Sequence, residues 1–447
     1  MPTLQPIDLT RMAKPFFWVL HFMSRWMLRI FYPAMETEGV EHANHPGPTL
    51  LCGNHPNTLA DPLMAGIHLD YQTYFLANAG LWLNPVMAFV IDPFCIPVAR
   101  PKDKEAGADK GSKDEVFNRT FAALESGKIM YIAPEAYSEL ERKLRKIKAG
   151  AASLALEGEA RNDWKLGVTL QPVGVNYESP TTCFSRAFVR YGEPIVAARW
   201  REEYEKSPMR AVRSLTNELS DRMQALLIHT HDKTEERCLR RIERSVQNDR
   251  PLTVSNHHFR TQRILTWLRE LPEMKREQLC SVAGEYDALL RQTGQLDLEF
   301  SDHPRRRLSA GLLLALPLFL YGLVNHLPWL LAIRGIWNAL GIDRGYKATF
   351  QTLASWFLLP LLYLLQTLLF NWIFPGAMGW VYLLSLPVSG LFALRYWVTY
   401  RPYWAGRFSG SGQSDDQLRE LRGSLMAMLP EFRHDEPVKV PAASGTR

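Results

Sequence analysis

The feature that most constrains the fold of this chain is a long stretch without any charged side chain. Residues 348–394 contain no Asp, Glu, Lys or Arg. A helix that spans a bilayer needs roughly 20 apolar residues, so this stretch is long enough for two such helices. Phe374, Pro375 and Gly376 supply a turn near its middle. The alternative, a buried helical hairpin of a soluble protein, is disfavoured by the length of the uncharged run.

A second apolar block, residues 308–333, lies upstream and is interrupted near residues 325–328. We predict that each block forms a membrane hairpin, because this arrangement places all the flanking basic residues on the cytoplasmic side, in line with the positive-inside tendency. The first block is short for two crossings, so a re-entrant segment is an alternative. The flanking basic residues are Arg305, Arg306, Arg307, Arg334, Arg344, Lys347, Arg395, Arg401 and Arg407.

These patterns divide the second half of the chain. We predict membrane-embedded helices over residues 304–405 and a cytoplasmic tail over 406–447, with an amphipathic helix at 415–429. Residues 201–303 form a charged segment rich in Arg, Glu and Gln. It is interpreted either as a regulatory helical insertion or as a solvated packing appendage without chemistry. Its predicted helices are 209–227, 233–246, 261–271 and 281–290.

Residues 1–35 are predicted to form an amphipathic helix that lies in a membrane interface. Basic residues interrupt a series of aromatic ones there, a mixture typical of interfacial helices. A first helix packed into a protein core is an equally good interpretation. The apolar run 16–23 is short for a secretory signal, contains His21 and lacks a small-residue cleavage site. The mixture consists of Lys14, Phe16, Phe17, Trp18, Phe22, Arg25, Trp26, Arg29, Phe31 and Tyr32.

Between these regions, short apolar or β-branched runs alternate with helical patterns. Such alternation favours an α/β domain with a mostly parallel sheet flanked by helices, which we place over residues 36–200. Two of the helical patterns cover residues 115–126 and 143–159. The predicted strands are 49–52, 73–76, 94–98, 129–133, 168–175 and 187–191.

Composition narrows the class of partner. The 447-residue chain is 22% charged and 47% hydrophobic, which argues against both disorder and a wholly membranous protein. The net charge of +6 suits an anionic membrane face or phosphorylated substrates. Nucleic acid is disfavoured, because the sequence has no zinc-ligand spacing, RNA-binding signature or long basic helix. The five scattered cysteines include no C-x-x-C pair and are predicted to be reduced, in a cytosolic compartment.

A histidine and a carboxylate share one turn after the predicted strand 49–52. His55 follows the strand, and Asp61 precedes Pro62, where a helix is expected to start. A histidine held by an aspartate can take a proton from an alcohol near neutral pH. No nearby serine or cysteine fits the geometry, so the alcohol is predicted to belong to a substrate. Asp61 can also serve as a helix N-cap before Pro62, and both roles are compatible.

Four segments follow one another along the chain: residues 54–62, 96–101, 133–138 and 170–177. In this order and spacing they resemble the four sequence blocks of the glycerophospholipid acyltransferase family, which acylates glycerol 3-phosphate and its lysophospholipid products. Further agreement comes from residues 148–152 and 189–195. His55 and Asp61 are separated by five residues instead of the common four, a spacing similar to that of fungal-type glycerol 3-phosphate/dihydroxyacetone phosphate acyltransferases. Ala136 stands where the family has glycine.

The resemblance implies the glycerolipid acyltransferase fold and roles for single residues. His55 would be the general base, and Asp61 would orient it. Arg100, Glu135 and Lys148 would form the subsite for the acceptor phosphate, with Glu135 orienting Arg100 or the acceptor hydroxyls. The residues assigned to the acyl pocket or to motif support are Asn54, Ser138, Pro172 and Val173.

Simpler roles remain open for several of these residues. Arg100 can form a surface salt bridge, and Lys148 can be a solvated helix-face lysine. Pro172 and Val173 can simply pack in the core, while Asn54 suits a turn. For Asn57, likewise a turn-forming residue, a direct catalytic role is the alternative. The charged loop 101–114 is interpreted either as a lid that orders on an anionic substrate or as an idle loop.

These observations predict an integral membrane O-acyltransferase with its active site on the cytoplasmic face. It would move a fatty acyl chain from acyl-CoA or acyl-ACP to glycerol 3-phosphate, so its partners would be these substrates, the lipid bilayer and, if it is the donor, an acyl carrier protein. The alternative acceptor is 1-acylglycerol 3-phosphate or another lysophospholipid. A non-catalytic lipid-binding scaffold is the alternative of another class. No metal or organic cofactor is expected, because no ligand cluster occurs in the sequence.

Overall fold

The computed structural model describes residues 13–83, 88, 91–98, 113–135, 140–301, 310–340, 347–408 and 413–433. The chain divides into two compact units, one ending at His229 and the other beginning at Thr230.

An eight-stranded sheet forms the centre of the first unit. The strands are β1 (Ala34–Glu38), β2 (Thr49–Gly53), β3 (Thr73–Asn78), β4 (Cys95–Val98), β5 (Ile129–Ile132), β6 (Thr169–Tyr177), β7 (Arg186–Tyr191) and β8 (Ile195–Val196). Their order in the sheet is β1-β7-β6-β2-β5-β3-β4, and β8 pairs with β6. All strand pairs are parallel except β6 with β7 and β6 with β8, which confirms the predicted mostly parallel sheet.

Two strands were not predicted. β1 reads Ala-Met-Glu-Thr-Glu and contains two carboxylates, so it lacks the apolar run on which strand prediction depends. β8 has only two residues, too few to show any alternation. Both join the sheet through pairing with distant strands, β1 with β7 and β8 with β6.

Helices cover the sheet and complete the core of the first unit. The helices are α1 (Ala13–Phe31), α2 (Ala60–Gly66), α3 (Lys113–Glu125), α4 (Gly150–Arg161), α5 (Arg201–Lys206) and α6 (Pro208–Ala225). Apolar side chains of α4 and α6, such as Leu154 and Leu215, belong to the same buried cluster as Leu50, Met130 and Leu170 of the sheet. α5 and α6 lie after residue 200 in the sequence and belong to this first unit.

The helix predicted over residues 143–159 starts only at Gly150. The preceding residues have irregular backbone, but Leu144 and Ile147 are buried in the core. Their spacing of three residues imitates a helical period although the backbone is not helical.

The second unit is helical, as the periodicity of its sequence predicted. Its first helices are α7 (Lys233–Asp249), α8 (Val254–Glu270) and α9 (Glu273–Thr293). Three long helices follow, α10 (Ala310–Leu340), α11 (Lys347–Ile373) and α12 (Met378–Phe408). The last helices are α13 (Gln413–Ala427), which corresponds to the amphipathic helix predicted in the tail, and the single turn α14 (Pro430–Arg433).

A disulfide joins Cys238 on α7 to Cys280 on α9, so the prediction of five reduced cysteines is wrong for this pair. The two residues are 42 positions apart in sequence, but packing of the two helices brings their Cα atoms to 5.2 Å, within the range for a disulfide. Cys52, Cys95 and Cys183 are not part of a disulfide.

The apolar blocks form long helices, but the first block is not a hairpin. α10 runs unbroken through Pro317 and Pro328. Near Pro328, where the ring disrupts the hydrogen-bond ladder, the Gln366 amide of α11 donates to the Asn325 carbonyl at 2.7 Å. The first block is therefore one helix of 31 residues, about 46 Å long, and not the two antiparallel segments of a hairpin.

The second block does form two helices with a turn after Ile373, as predicted. Within the described residues, Leu313–Ala339 and Met378–Tyr400 are long and apolar enough to cross a membrane, and Leu358–Ile373 is a shorter apolar helix. The length and composition of these helices are therefore compatible with membrane association of the second unit.

Candidate active site

The turn between β2 and α2 carries the predicted catalytic pair. β2 is fully buried between β5 and β6, and it ends at Gly53. Residues that follow the carboxyl ends of neighbouring parallel strands meet at one edge of the sheet, the usual place for a site in an open α/β fold. Thr58 of this turn has a φ of 41°, in the left-handed region that β-branched residues avoid. Such backbone strain is concentrated at functional sites.

His55 and Asp61 are directly paired. The Nδ1 atom of His55 lies 3.0 Å from Oδ2 of Asp61. The Asp61 side chain is completely buried, whereas that of His55 is 22% exposed. Asp61 is not the helix N-cap, since α2 begins one residue earlier, at Ala60.

Two further donors hold the Asp61 carboxylate. The backbone N–H of Asn57 donates to Oδ2 at 2.7 Å, and the Tyr177 hydroxyl donates to Oδ1 at 2.8 Å. Burial raises the pKa of Asp61, and the hydrogen bonds from His55, Asn57 and Tyr177 oppose that rise. The pKa of Tyr177 is raised well above its usual value, chiefly by burial, so its hydroxyl stays a donor.

This pairing determines which ring nitrogen of His55 can act as a base. With the Nδ1 proton donated to Asp61, the neutral ring carries its lone pair on Nε2. Within the described part of the chain, no residue hydrogen-bonds to Nε2. The arrangement is suited to taking a proton from a hydroxyl and to stabilising the imidazolium that results.

The Glu135 carboxylate accepts hydrogen bonds from two backbone N–H groups. Its two carboxylate oxygens accept the backbone N–H groups of His55 at 3.0 Å and Arg145 at 2.9 Å. Burial raises its pKa, and these two hydrogen bonds oppose the rise. Glu135 thus connects the turn between β2 and α2 to the basic segment 142–148. Its assignment to the phosphate subsite stays a prediction.

Lys148 ends this basic segment. Its backbone N–H donates to the Pro134 carbonyl at 2.9 Å, and the residue is exposed. The structure therefore brings Lys148 to the end of β5, next to Glu135. Arg100 and Ser138 lie outside the described residues, as do residues 101–112 of the charged loop.

Asn54 connects the turn to β6, the strand that contains Pro172 and Val173. The Asn54 side chain donates to the Val175 carbonyl at 3.0 Å and accepts the Val175 N–H at 2.7 Å, so it ties β2 to β6. Pro172 and Val173 are buried beside Cys52 and Gly53 of β2. They belong to the core below the site, and an acyl pocket there stays a prediction.

Three residues of the site were missed or given other roles by sequence reasoning. In the sequence, Tyr177 is only the last residue of the fourth segment, and Tyr32 is only one of the aromatic residues of the first predicted helix. Asn57 was interpreted mainly as a turn former, although its side chain is fully buried and donates to the Tyr32 hydroxyl at 2.8 Å. The available signal was only that Tyr177 follows the predicted strand 168–175 by two residues, since residues at strand ends often carry a site. Among the described residues, no group of His, Cys, Asp or Glu could hold a metal ion.

Comparison with known proteins shows similarity over this region. Residues 34–176 match the family model described as Acyltransferase. Over 115 residues, 26% of this chain, the sequence is 34% identical to glycerol-3-phosphate O-acyltransferase 2 of Saccharomyces cerevisiae, and the match covers only 15% of that protein. Among solved structures, the 1-acyl-sn-glycerophosphate (LPA) acyltransferase PlsC of Thermotoga maritima matches at 17% identity with a TM-score of 0.33, over 48% of this chain and 84% of that one. The family match contains His55, Asp61 and Glu135.

Proposed function

We propose that this chain, in which residues 34–176 are a domain of the acyltransferase family, transfers a fatty acyl group from an acyl thioester to a hydroxyl of glycerol 3-phosphate. The observation that carries the proposal is the 3.0 Å contact between His55 and the fully buried Asp61. The name of the yeast relative supports glycerol 3-phosphate as acceptor. 1-Acylglycerol 3-phosphate is the alternative acceptor of the same class.

The proposed reaction follows from this pair. His55 Nε2 takes the proton of the acceptor hydroxyl, and the oxygen attacks the carbonyl carbon of the thioester. The tetrahedral intermediate collapses as the carbon–sulfur bond breaks, which leaves an oxygen ester. The thiolate then takes the proton from the imidazolium. Asp61 stabilises the imidazolium between these two proton transfers. A thioester is already activated, so no cofactor is needed for this sequence.

We propose that two cationic residues, Arg100 and Lys148, bind the acceptor phosphate. Arg100 follows β4, and a guanidinium offers a planar fork of donors that matches phosphate. Lys148 is held beside Glu135 by its backbone. Glu135 would act on this subsite by fixing the backbone of Arg145 relative to His55.

Membrane attachment through the apolar helices of the second unit fits this chemistry. The product carries a fatty acyl chain that partitions into lipid, so an enzyme on the membrane releases it where it is stable. α10 and α12 contain the two segments long enough to span. We propose that the active site faces the cytoplasm, where acyl thioesters are made.

An assay with both donor types tests the proposal. Purified full-length protein is incubated with labelled acyl-CoA or acyl-ACP and with glycerol 3-phosphate, dihydroxyacetone phosphate, 1-acylglycerol 3-phosphate or a lysophospholipid. We expect transfer to glycerol 3-phosphate, and a loss of about 10²–10⁴-fold in His55→Ala.

The matched control is His45→Ala, which removes a partly exposed histidine whose ring pairs with the Pro46 carbonyl, and it should keep full activity. If wild type transfers no more label than His55→Ala to any acceptor, the chain is a lipid-binding scaffold instead.

A further inference from the structure

One face of α1 is an exposed aromatic surface. Its opposite face packs into the first unit through Phe17, Leu28 and Phe31, which are all buried. The exposed side chains recur at helical spacing and include both tryptophans of the helix. We call this set the aromatic face. It consists of Trp18 (49% exposed), Val19, Phe22 (62% exposed), Met23 and Trp26 (58% exposed).

Charge indicates what covers the aromatic face. Arg25 and Arg29 are exposed on the same helix, which has no acidic residue over its length. Tryptophan rings favour the headgroup level of a bilayer, and arginines beside them attract anionic lipids. An anionic bilayer surface therefore fits this helix better than a second protein would, because its chemistry combines apolar and negatively charged groups.

The other end of α1 leads into the catalytic site. Tyr32, which directly follows the helix, is 1% exposed. Its hydroxyl accepts from the Asn57 amide at 2.8 Å and donates to the Pro180 carbonyl at 2.7 Å. Its ring also packs against the ring of Tyr177, with 5.0 Å between the centroids.

Tyr32 therefore contacts two of the residues that hold Asp61, through the side chain of Asn57 and the ring of Tyr177. The backbone N–H of Asn57 and the hydroxyl of Tyr177 each donate to one oxygen of that carboxylate. A shift of the Tyr32 ring would change both hydrogen bonds at once. Asp61 in turn fixes the orientation of His55.

We propose that α1 docks on an anionic bilayer through its aromatic face, and that Tyr32 is a positioning residue that makes the geometry of His55 and Asp61 depend on this docking. The proposal rests on the proposed acyl transfer and adds control of the catalytic pair by the lipid surface. Acyl transfer is then faster when α1 is seated in anionic lipid.

The lipid dependence is measured on the full-length protein in nanodiscs of phosphatidylcholine alone or of phosphatidylcholine mixed with phosphatidylglycerol. Octanoyl-CoA and glycerol 3-phosphate serve as substrates, because both stay in water and their concentration does not change with the lipid. We expect wild type to be about fivefold faster in the anionic discs, the effect of one hydrogen bond of about 1 kcal/mol.

Substitutions in α1 separate docking from folding. W18S/F22S/W26S should remove the difference between the two lipids, whereas the conservative W18F/W26F should keep it. Met209→Ser removes an apolar side chain of α6 that is even more exposed, at 84%, and it should behave like wild type.

Tyr32→Phe tests the coupling. It should lower transfer in anionic discs to the rate in neutral discs, while α1 stays in the lipid. Docking is followed by brominated-lipid quenching of Trp18 and Trp26 fluorescence, taken as the difference from W18F/W26F. The control is Tyr191→Phe, another buried tyrosine whose hydroxyl donates to a backbone carbonyl, that of Ala65 at 2.9 Å.

Equal wild-type rates in both lipids would overturn the inference while leaving the proposed function standing. The inference would also fail if Tyr32→Phe gave the same transfer rates as Tyr191→Phe. It would fail, too, if the lipid did not quench the tryptophans of the aromatic face and substitution of that face changed the oligomeric state. That result would indicate that a second copy of the chain covers the aromatic face. Absence of transfer by wild type in every lipid, with α1 quenched normally, would instead refute the proposed function and leave only the docking.

Discussion

At the scale of single residues, the site depends on a fully buried carboxylate, that of Asp61. Asp61 has no exposed surface, and burial raises its pKa. Three hydrogen bonds oppose this rise, from His55, the Asn57 backbone and the Tyr177 hydroxyl. A hydrogen bond to a charged group contributes about 1.5–3 kcal/mol, so each of these donors matters for the ionised state.

Tyr177→Phe should move the acid limb of the rate profile to higher pH. The Tyr177 hydrogen bond lowers the pKa of Asp61, so its loss raises that pKa further. Asp61 then becomes protonated at a higher pH as the solution is acidified, and a protonated Asp61 no longer stabilises the imidazolium. We also expect transfer at neutral pH to fall about tenfold, from the loss of a charge-assisted hydrogen bond.

The measurement is kcat/KM for acyl transfer as a function of pH. Tyr191→Phe is the control, since that hydroxyl donates to the Ala65 carbonyl and its own profile should match wild type. A Tyr177→Phe profile that only falls in height, with an unmoved acid limb, would speak for a purely structural role of Tyr177.

At the scale of elements, the site depends on close contact between the sheet and the segment after α6. A Cβ atom added at Gly174 of β6 would lie 2.7 Å from the Leu226 Cβ and 2.8 Å from its carbonyl oxygen. The Asn176 amide of the same strand donates to that carbonyl at 3.0 Å. β6 also carries Tyr177, so the position of this strand determines the geometry at Asp61.

Gly174→Ala should therefore destabilise the first unit. Overpacking of a close contact that involves backbone costs about 1–3 kcal/mol, because the backbone cannot move aside easily. We expect a lower apparent midpoint of thermal unfolding in detergent, together with reduced acyl transfer. Gly150→Ala is the control, because a Cβ at that position meets nothing within 4 Å. Equal midpoints for the two variants would contradict the contact at Gly174.

The first apolar block shows how tertiary contacts decide an element. Pro328 and the polar residues before it predict an interruption, yet α10 continues through them. Polar side chains of neighbouring helices meet the same stretch: the Tyr382 hydroxyl donates to the Asn325 side chain, and His326 pairs with the Tyr363 hydroxyl at 2.8 Å. Gly322 packs directly on the backbone of Ser389. These contacts favour a continuous helix where the local sequence favours a break.

At the scale of the whole molecule, the chain combines an α/β unit that carries the site with a helical unit that contains the apolar helices. The exposed surface of α12 includes Leu384 at 70% and Val388 at 67%, which is unusual for a helix surrounded by water. The charged helices α7, α8 and α9 of the same unit have buried apolar faces and resemble ordinary soluble helices.

The full-length protein should stay in the membrane pellet after alkaline carbonate extraction. Exposed apolar helices of this length are stable in lipid and would be costly in water. The measurement is the distribution of the expressed protein between pellet and supernatant. Leu384→Arg should weaken retention, since a centrally placed arginine costs about 2.5–3.5 kcal/mol in a spanning helix.

Met209→Arg on α6 is the control for added charge and should not alter retention. Quantitative release of wild type into the supernatant would favour the alternative of a buried helical hairpin in a soluble protein.

The sequence by itself determined the alternation of strands and helices and the turn that carries His55 and Asp61. Both are local properties: six predicted strands are found in the sheet, because each is a short apolar run between turn residues. The two strands that sequence reasoning missed lack this signal. The pairing of His55 with Asp61 is also local, since both belong to one turn.

Only the tertiary structure decided what surrounds this pair. Tyr177 reaches Asp61 across 116 residues because β6 lies beside β2 in the sheet, an order that no local pattern encodes. The same holds for Tyr32 against Asn57, for Cys238 against Cys280, and for α10, whose prolines favour a break that packing overrides. Periodicity reports which face of an element is buried, but not which distant element buries it, and the support of the Asp61 carboxylate depends on the latter.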